Sequence, residues 1–266
     1  MSILTLGHRQ LEYVRLNARA PAASPLVFLH EGLGSIAMWK SFPERLCEAT
    51  DRQGFVYSRE GYGHSSPRPD PLPLDYLERE AQLVLPALLE KLDIAKPWLV
   101  GHSDGGTIAL LAAAGFSEKL AGIILIAPHW FVEDVCLAGI TRARRAYESG
   151  PLKENLQRYH DHPDAVFYGW HDVWTNPARR NWNIADICQK ITCPIFALQG
   201  EKDEYATLEQ IDGIACCAPQ TDRCVIPDCG HFPHLRRQEE TVAAIAKFPD
   251  VIARSVATKQ SSNGTG

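Results

Sequence analysis

The sequence predicts an α/β protein built on a mostly parallel sheet, and three observations carry that reading. Short β-rich runs alternate with helical stretches, the order that produces parallel strands joined by right-handed crossovers. The run LVFLH at 26–30 is apolar on both faces, as a strand covered on both sides must be. The chain, 266 residues with 45% hydrophobic and 22% charged side chains, is long and apolar enough to bury a large core.

Taken in order, residues 11–16 alternate as one strand of a first hairpin, 26–30 form a central strand, and GFVYS at 54–58 is a weaker strand of the same kind. Residues 75–92 place Leu77, Ala81, Val84, Leu85, Leu88, Leu89 and Leu92 at helical spacing. Asp75 stands at the N-cap, and Pro86 predicts a kink or a split. Strands follow at 98–100 and 121–127, with a helix over 105–115 between them.

Between 128 and 191 strands vanish and aromatics concentrate, which reads as an inserted helical segment. Alternation resumes with PIFALQG at 194–200, a helix over 207–217, a strand over 223–226 and a last helix over 238–252. The core is thus expected from 1–127 and 192–254, with the insertion at 128–191. The polar tail 255–266 is expected to be disordered.

A formal net charge of −5, with no Lys/Arg stripe to neutralise phosphates, argues against nucleic acid or an anionic membrane as partner. No apolar run reaches bilayer length, and the first ten residues lack the basic and apolar regions of a secretory signal. A cytoplasmic location is expected, with the eight cysteines as free thiols. The partner is expected to be a small-molecule substrate, with a homodimer left open.

The most informative residues are Gly101-His102-Ser103-Asp104-Gly105-Gly106, set between a strand and a helix. G-x-S-x-G in that setting is a nucleophile elbow, a tight turn that lifts a serine Oγ to the carboxyl edge of the sheet. A serine hydroxyl needs a base, and the base needs an orienting acid; the chain order for this architecture is Ser, Asp/Glu, His. Asp203, just past the strand PIFALQG, and His231, past the strand ending at 226, fit that order. Glu201, Glu204 and Asp228 are competing acids, and His234 is a competing histidine. Asp228 lies too close in sequence to His231 for the usual loop geometry.

An oxyanion site needs two backbone donors. Asp104 N–H, next to the nucleophile, is one; the loop His30-Glu31-Gly32-Leu33-Gly34-Ser35 supplies the other, with Gly32 preferred and Leu33 as the alternative. The Asp104 side chain is expected to cap its helix.

Together LHEGLG, YSREGYGHS, VGHSDGG, LQGEKDEY and DCGHFPH make the chain resemble the α/β-hydrolase superfamily from about residue 11 to 252. The resemblance implies an eight-stranded, mostly parallel sheet flanked by helices, with a helical cap inserted after the sixth strand at 128–191. It also implies a Ser103–Asp203–His231 triad and no cofactor or metal. Glu31 departs from the pattern, since relatives usually carry glycine after that histidine. Serine at 103 separates the chain from haloalkane dehalogenases and epoxide hydrolases, whose pattern requires aspartate there.

Weaker constellations remain. His160-Asp161-His162 with His171 lacks a strict tetrahedral ligand set, the cysteines form no C-x-x-C pair, and the loop 61–65 has no following P-loop lysine. The aromatics of the insertion mostly pack it together, yet Trp130, Trp170 and Trp174 are expected to wall a pocket for an apolar or aromatic group. The reading is a cofactor-independent serine hydrolase of small carboxylic esters. Alternatives on the same triad are a C–C bond hydrolase, lactonase, thioesterase or perhydrolase, with a non-enzymatic ligand receptor as the different class.

Overall fold

The computed structural model describes residues 1–17, 24–69 and 71–248. The tail 255–266, and the end of the last helix expected beyond 248, lie outside the described residues.

An N-terminal hairpin of β1 (Ser2–Leu6) and β2 (Arg9–Leu16) turns at Gly7 and pairs antiparallel onto β4 (Gly54–Tyr57). Beyond it every pairing is parallel, through β3 (Leu26–Leu29), β5 (Trp98–His102), β6 (Gly122–Ile126), β7 (Ile195–Gly200) and β8 (Thr221–Ile226). The eight strands lie in the order β1-β2-β4-β3-β5-β6-β7-β8. The expected eight-stranded, mostly parallel sheet is therefore present.

Why the central strands are apolar at every position is visible in where their side chains go. Leu26 and Phe28 of β3 join one buried cluster, while Val27 and Leu29 join the other. In β6, Ile124 and Ile126 go one way and Ile123 and Leu125 the other. On the first face α1 (Phe42–Thr50), not anticipated from the sequence, and the helix over 238–248 close the core with Phe42, Leu46, Ile245 and Phe248. The second face is covered by α3 (Leu85–Lys91), α4 (Asp104–Phe116) and α8 (Glu209–Cys217). Side chains such as Phe28, fully buried, each contribute about 1.5–3 kcal/mol through removal from water.

The helical stretch expected over 75–92 is interrupted as its proline predicts. It runs as α2 (Tyr76–Arg79), a π-helical turn at Glu80–Val84, and α3, with Pro86 in the first turn of the last piece. A proline ring crowds the carbonyl of the preceding turn, and the wider π turn relieves that contact. Asp75 does not cap this helix: its carboxylate instead takes Arg79 Nε at 2.9 Å.

Between β6 and β7 the chain forms α5 (Asp134–Ser149), α6 (Leu152–Gln157) and α7 (Pro163–Trp174), with α5 and α7 joined by an aromatic stack of Tyr147 on Phe167 at 3.9 Å. Its extended backbone is limited to a single bridge, Phe131 with Asn183, among the described residues. No helix among the described residues is long and apolar enough to cross a membrane. All eight cysteines are free.

Because β3, β5, β7 and β8 run parallel, their carboxyl ends emerge at one edge. The loops that follow them, carrying Glu31 to Gly34, Ser103, Asp203 and His231, are thereby gathered together.

Candidate active site

Ser103 sits between β5 and α4 with φ 51° and ψ −115°. For a residue with a side chain that backbone conformation costs about 1–3 kcal/mol and persists only where the surroundings impose it. They do so here through close packing of the helix start on the sheet. A β-carbon at Gly105 would collide with the Leu29 carbonyl, and one at Gly101 with the Gly105 backbone. Ser103 N–H donates to the Ile126 carbonyl at 2.9 Å, tying the turn to β6.

Beyond β7, Asp203 Oδ1 accepts Tyr205 N–H at 2.8 Å, which fixes the carboxylate. Beyond β8, His231 Nδ1 lies 2.9 and 2.8 Å from the two Asp203 oxygens. Nδ1 therefore carries the proton, and Nε2 is left with a lone pair. His102 Nε2–H donates to the His231 backbone carbonyl at 2.9 Å, and Glu204 accepts the His231 backbone N–H at 3.0 Å, so the main chain that carries the ring is held on both sides. Burial opposes protonation of His231, but the Asp203 charge and hydrogen bond outweigh it and raise the pKa above the ordinary histidine value. Burial likewise works against ionisation of Asp203, and His231 overcomes it, lowering the carboxyl.

Of the competitors, Glu204 binds the His231 backbone and not its ring, and the others are placed elsewhere. Asp228 is exposed and pairs with Lys202 at 2.5 Å, and Glu201 accepts the Asp228 N–H. His234 packs on Trp39 and Phe42 with its pKa driven by burial to about 3, so it stays neutral.

In the loop after β3, Leu33 N–H donates to the Glu31 carboxylate at 2.6 Å. The N–H groups of Gly32 and Asp104 have no acceptor among the described residues. A β-carbon on Gly32 would run into the Trp170 indole, so only glycine fits there. Glu31 itself borders the cavity: burial above all, with the nearby Asp104 charge, raises its carboxyl to about 7 against the pull of the Leu33 N–H.

Ser103, His231, Glu31 and His129 border one side of a cavity of about 210 Å³; Ile140, Leu156, Trp170 and Trp174 from the inserted segment border the other. Two sequence expectations need correction. Trp130 does not line this cavity: its ring fills the space beside Gly213 of α8, and its backbone N–H donates to Gln210 Oε1 at 2.9 Å. The Asp104 carboxylate does not cap α4; it turns into a buried polar cluster, accepting from Tyr76 Oη and from Trp174 Nε1 at 3.2 Å, with Arg59 Nη2 at 3.8 Å. A larger hollow of about 680 Å³ along the proline-rich stretch 67–74 does not border Ser103 or His231.

Glu31, Arg59, His129 and Tyr205 were not singled out as site residues by sequence reasoning. Glu31 was visible only as a departure from the usual glycine, and Arg59 only as a letter in YSREGYGHS. His160, weighed as a metal ligand, instead has both ring nitrogens engaged with backbone. Nδ1 accepts Gly63 N–H at 2.8 Å, and Nε2–H donates to Leu33 O at 2.9 Å.

With this geometry in place, comparison with known proteins is consistent across most of the chain. Human serine hydrolase BPHL (Homo sapiens) is 27% identical over 197 residues, a match covering 70% of this chain and 65% of that protein. Among solved structures, a thermophilic esterase from Thermogutta terrifontis superposes with a TM-score of 0.72 at 22% identity, covering 94% of this chain and 96% of the other. The enol-lactonase from Burkholderia xenovorans gives 0.75 at 18% identity, covering 94% and 100%. Residues 26–244 match the alpha/beta hydrolase family, and that match, on an eight-stranded sheet of this order, makes the chain a member of that family.

Proposed function

We propose that the protein is a serine hydrolase that cleaves a small carboxylic ester bearing an apolar or aromatic group, through an acyl-enzyme on Ser103. The observation that carries this reading is the bidentate approach of Asp203 to His231 Nδ1, which leaves Nε2 basic beside the cavity that also holds the strained Ser103. In the reaction Ser103 Oγ attacks the ester carbonyl and passes its proton to His231 Nε2. The N–H groups of Gly32 and Asp104, free of acceptors among the described residues, receive the negative charge on the carbonyl oxygen. His231 then protonates the departing alcohol, and afterwards takes a proton from the water that releases the acid.

The inserted segment between β6 and β7 acts as a cap whose Trp170, Trp174, Ile140 and Leu156 face the variable part of the substrate. No lysine or arginine lines the cavity among the described residues, whereas Glu31 and Asp104 do. A substrate carrying its own carboxylate would find no counter-charge on that lining, which favours neutral esters over acids of the diketone type. The natural partner is a small molecule; neither nucleic acid nor membrane is involved.

A fluorophosphonate label, followed by peptide mass mapping, tests the reading. Modification confined to Ser103, together with hydrolysis of p-nitrophenyl esters, is expected. An unlabelled Ser103, or labelling elsewhere with activity intact, overturns it.

A further inference from the structure

We propose that Arg59 is the positioning residue of the oxyanion hole, one guanidinium holding both of the segments whose N–H groups receive the developing charge. The inference rests on the serine-hydrolase reading and assigns work to a residue that touches no reacting atom.

The Glu31 carbonyl accepts from Arg59 Nη2 at 2.9 Å, from His30 Nδ1 at 2.7 Å and from Gly34 N–H at 3.1 Å. That carbonyl belongs to the same planar peptide as the Gly32 N–H, and in a trans peptide the two bonds point in opposite directions. Three donors fixing the oxygen therefore fix the direction of the Gly32 N–H. The His30 ring is itself set by Arg59, whose backbone N–H donates to Nε2 at 3.1 Å, so Nδ1 must carry the proton that goes to Glu31 O. Burial and the neighbouring guanidinium push the His30 pKa well down, so the ring remains a neutral, single-tautomer strut.

The same Arg59 Nη2 stands 3.8 Å from Asp104 Oδ2. Asp104 supplies the second N–H, and its carboxylate is further held by Tyr76 and Trp174. Arg59 thus bridges a peptide oxygen on one side and a side chain on the other, with Tyr62 stacked under its guanidinium at 4.8 Å. Arg59 is 4% exposed, and although burial disfavours its charge, Tyr62, Asp104 and Glu80 outweigh that and keep it cationic. A buried cation on the carbonyl side of a peptide polarises it and makes its N–H a stronger donor. Meanwhile the Glu31 carboxylate occupies Leu33 N–H, so the loop offers Gly32 as its donor.

The test compares Arg59→Lys, Arg59→Gln and the double variant Arg59→Gln/Asp104→Asn, which avoids stranding a buried carboxylate. Folding is checked by circular dichroism and thermal unfolding, and kinetics use p-nitrophenyl butyrate. A trifluoromethyl ketone serves as the transition-state probe: Ser103 Oγ adds to its carbonyl carbon, the serine proton passes to His231, and the ketone oxygen becomes the bound anion. The expected result is a fall in kcat of about 10²–10³-fold with KM little changed, matched by an equal loss of ketone affinity. Arg59→Lys, which keeps the charge but cannot span both groups, falls less than Arg59→Gln. The pH at which His231 titrates in the rate profile stays put. Wild-type kcat in a folded variant, or a loss expressed in KM with ketone affinity intact, overturns the proposal. Ser103→Ala run alongside separates the two readings: if it stays active the serine mechanism fails, and if it is dead while Arg59 variants keep kcat, only the positioning role fails.

Discussion

The Trp170 indole occupies the space in which residue 32 would carry a β-carbon, so a wall of the cavity and a backbone donor of the proposed oxyanion hole are in direct contact. Substrate shape and transition-state geometry are mechanically joined at that point. Gly32→Ala is expected to displace the loop or the indole and to lower kcat/KM about 10²-fold, the scale of a misplacement near 1 Å. Adding Trp170→Leu makes room and should recover part of the loss. Steady-state kinetics of the single and double variants decide it; no recovery means that the loop, and not the contact, is at fault.

Ser103→Ala should lower turnover by roughly three to six orders of magnitude without unfolding the protein. Ser103→Gly should be equally inactive yet melt at a higher temperature, because glycine adopts the positive φ at no steric cost. Calorimetry of the three proteins checks the pair of outcomes. A Gly variant melting below wild type would mean that the turn stores no strain.

Asp203→Asn should cost roughly four orders of magnitude in kcat, since an amide no longer enforces the Nδ1–H form of His231. Asp228→Asn, by contrast, removes only an exposed partner of Lys202 and should leave activity unchanged. Reversal of these two results would reassign the acid.

Trp170 and Trp174 should respond differently. Trp170→Ala is expected to lower activity toward a bulky benzoate ester by about 1–3 kcal/mol in transition-state binding while sparing an acetate ester. Trp174→Phe breaks the bonds from Nε1 to Asp104 at 3.2 Å and Tyr76 at 3.0 Å, and should depress both esters together. The ratio of kcat/KM values for the two esters in each variant is the measurement.

Glu31 gives the pH dependence. Its carboxyl is raised from 4.5 to about 7, so the folded state holds a proton that the unfolded state releases. That contribution to stability is fully present below pH 4.5 and is lost as the pH rises through about 7. Glu31→Gln should therefore raise the melting temperature relative to wild type at pH 8 and change it little at pH 4. Because the Glu31 charge also helps to raise His231, the acid limb of kcat/KM should move to lower pH in the same variant. An acid limb that stays in place would mean that Glu31 and His231 do not sense each other.

The central strands were legible because burial on both faces leaves no room for polar residues, as β3 and β6 show. Ser103, Asp203 and His231 could be picked out because they stand in the turn or loop that follows β5, β7 and β8, respectively. What the sequence did not disclose depends on the direction of single side chains across long separations. Trp130 and Trp174 are both indoles of the inserted segment, yet one packs on α8 and the other reaches Asp104. Asp104 looked like a cap because caps are local; the Arg59, Tyr76 and Trp174 groups that claim it are remote in sequence. The Glu31–Arg59 contact escaped for the same reason.

The inserted segment leaves the sheet after β6 and returns at β7, and these two strands are hydrogen-bonded neighbours, with Ile123 opposite Ile195. Its two ends are thus anchored side by side, so its length and content can change without altering the register of any strand. Ser103, His231 and Asp203 all lie outside it, on chain that the sheet already fixes. The protein is modular in the engineering sense: a transplanted or redesigned segment between these strands would inherit the Ser103, Asp203 and His231 arrangement unchanged.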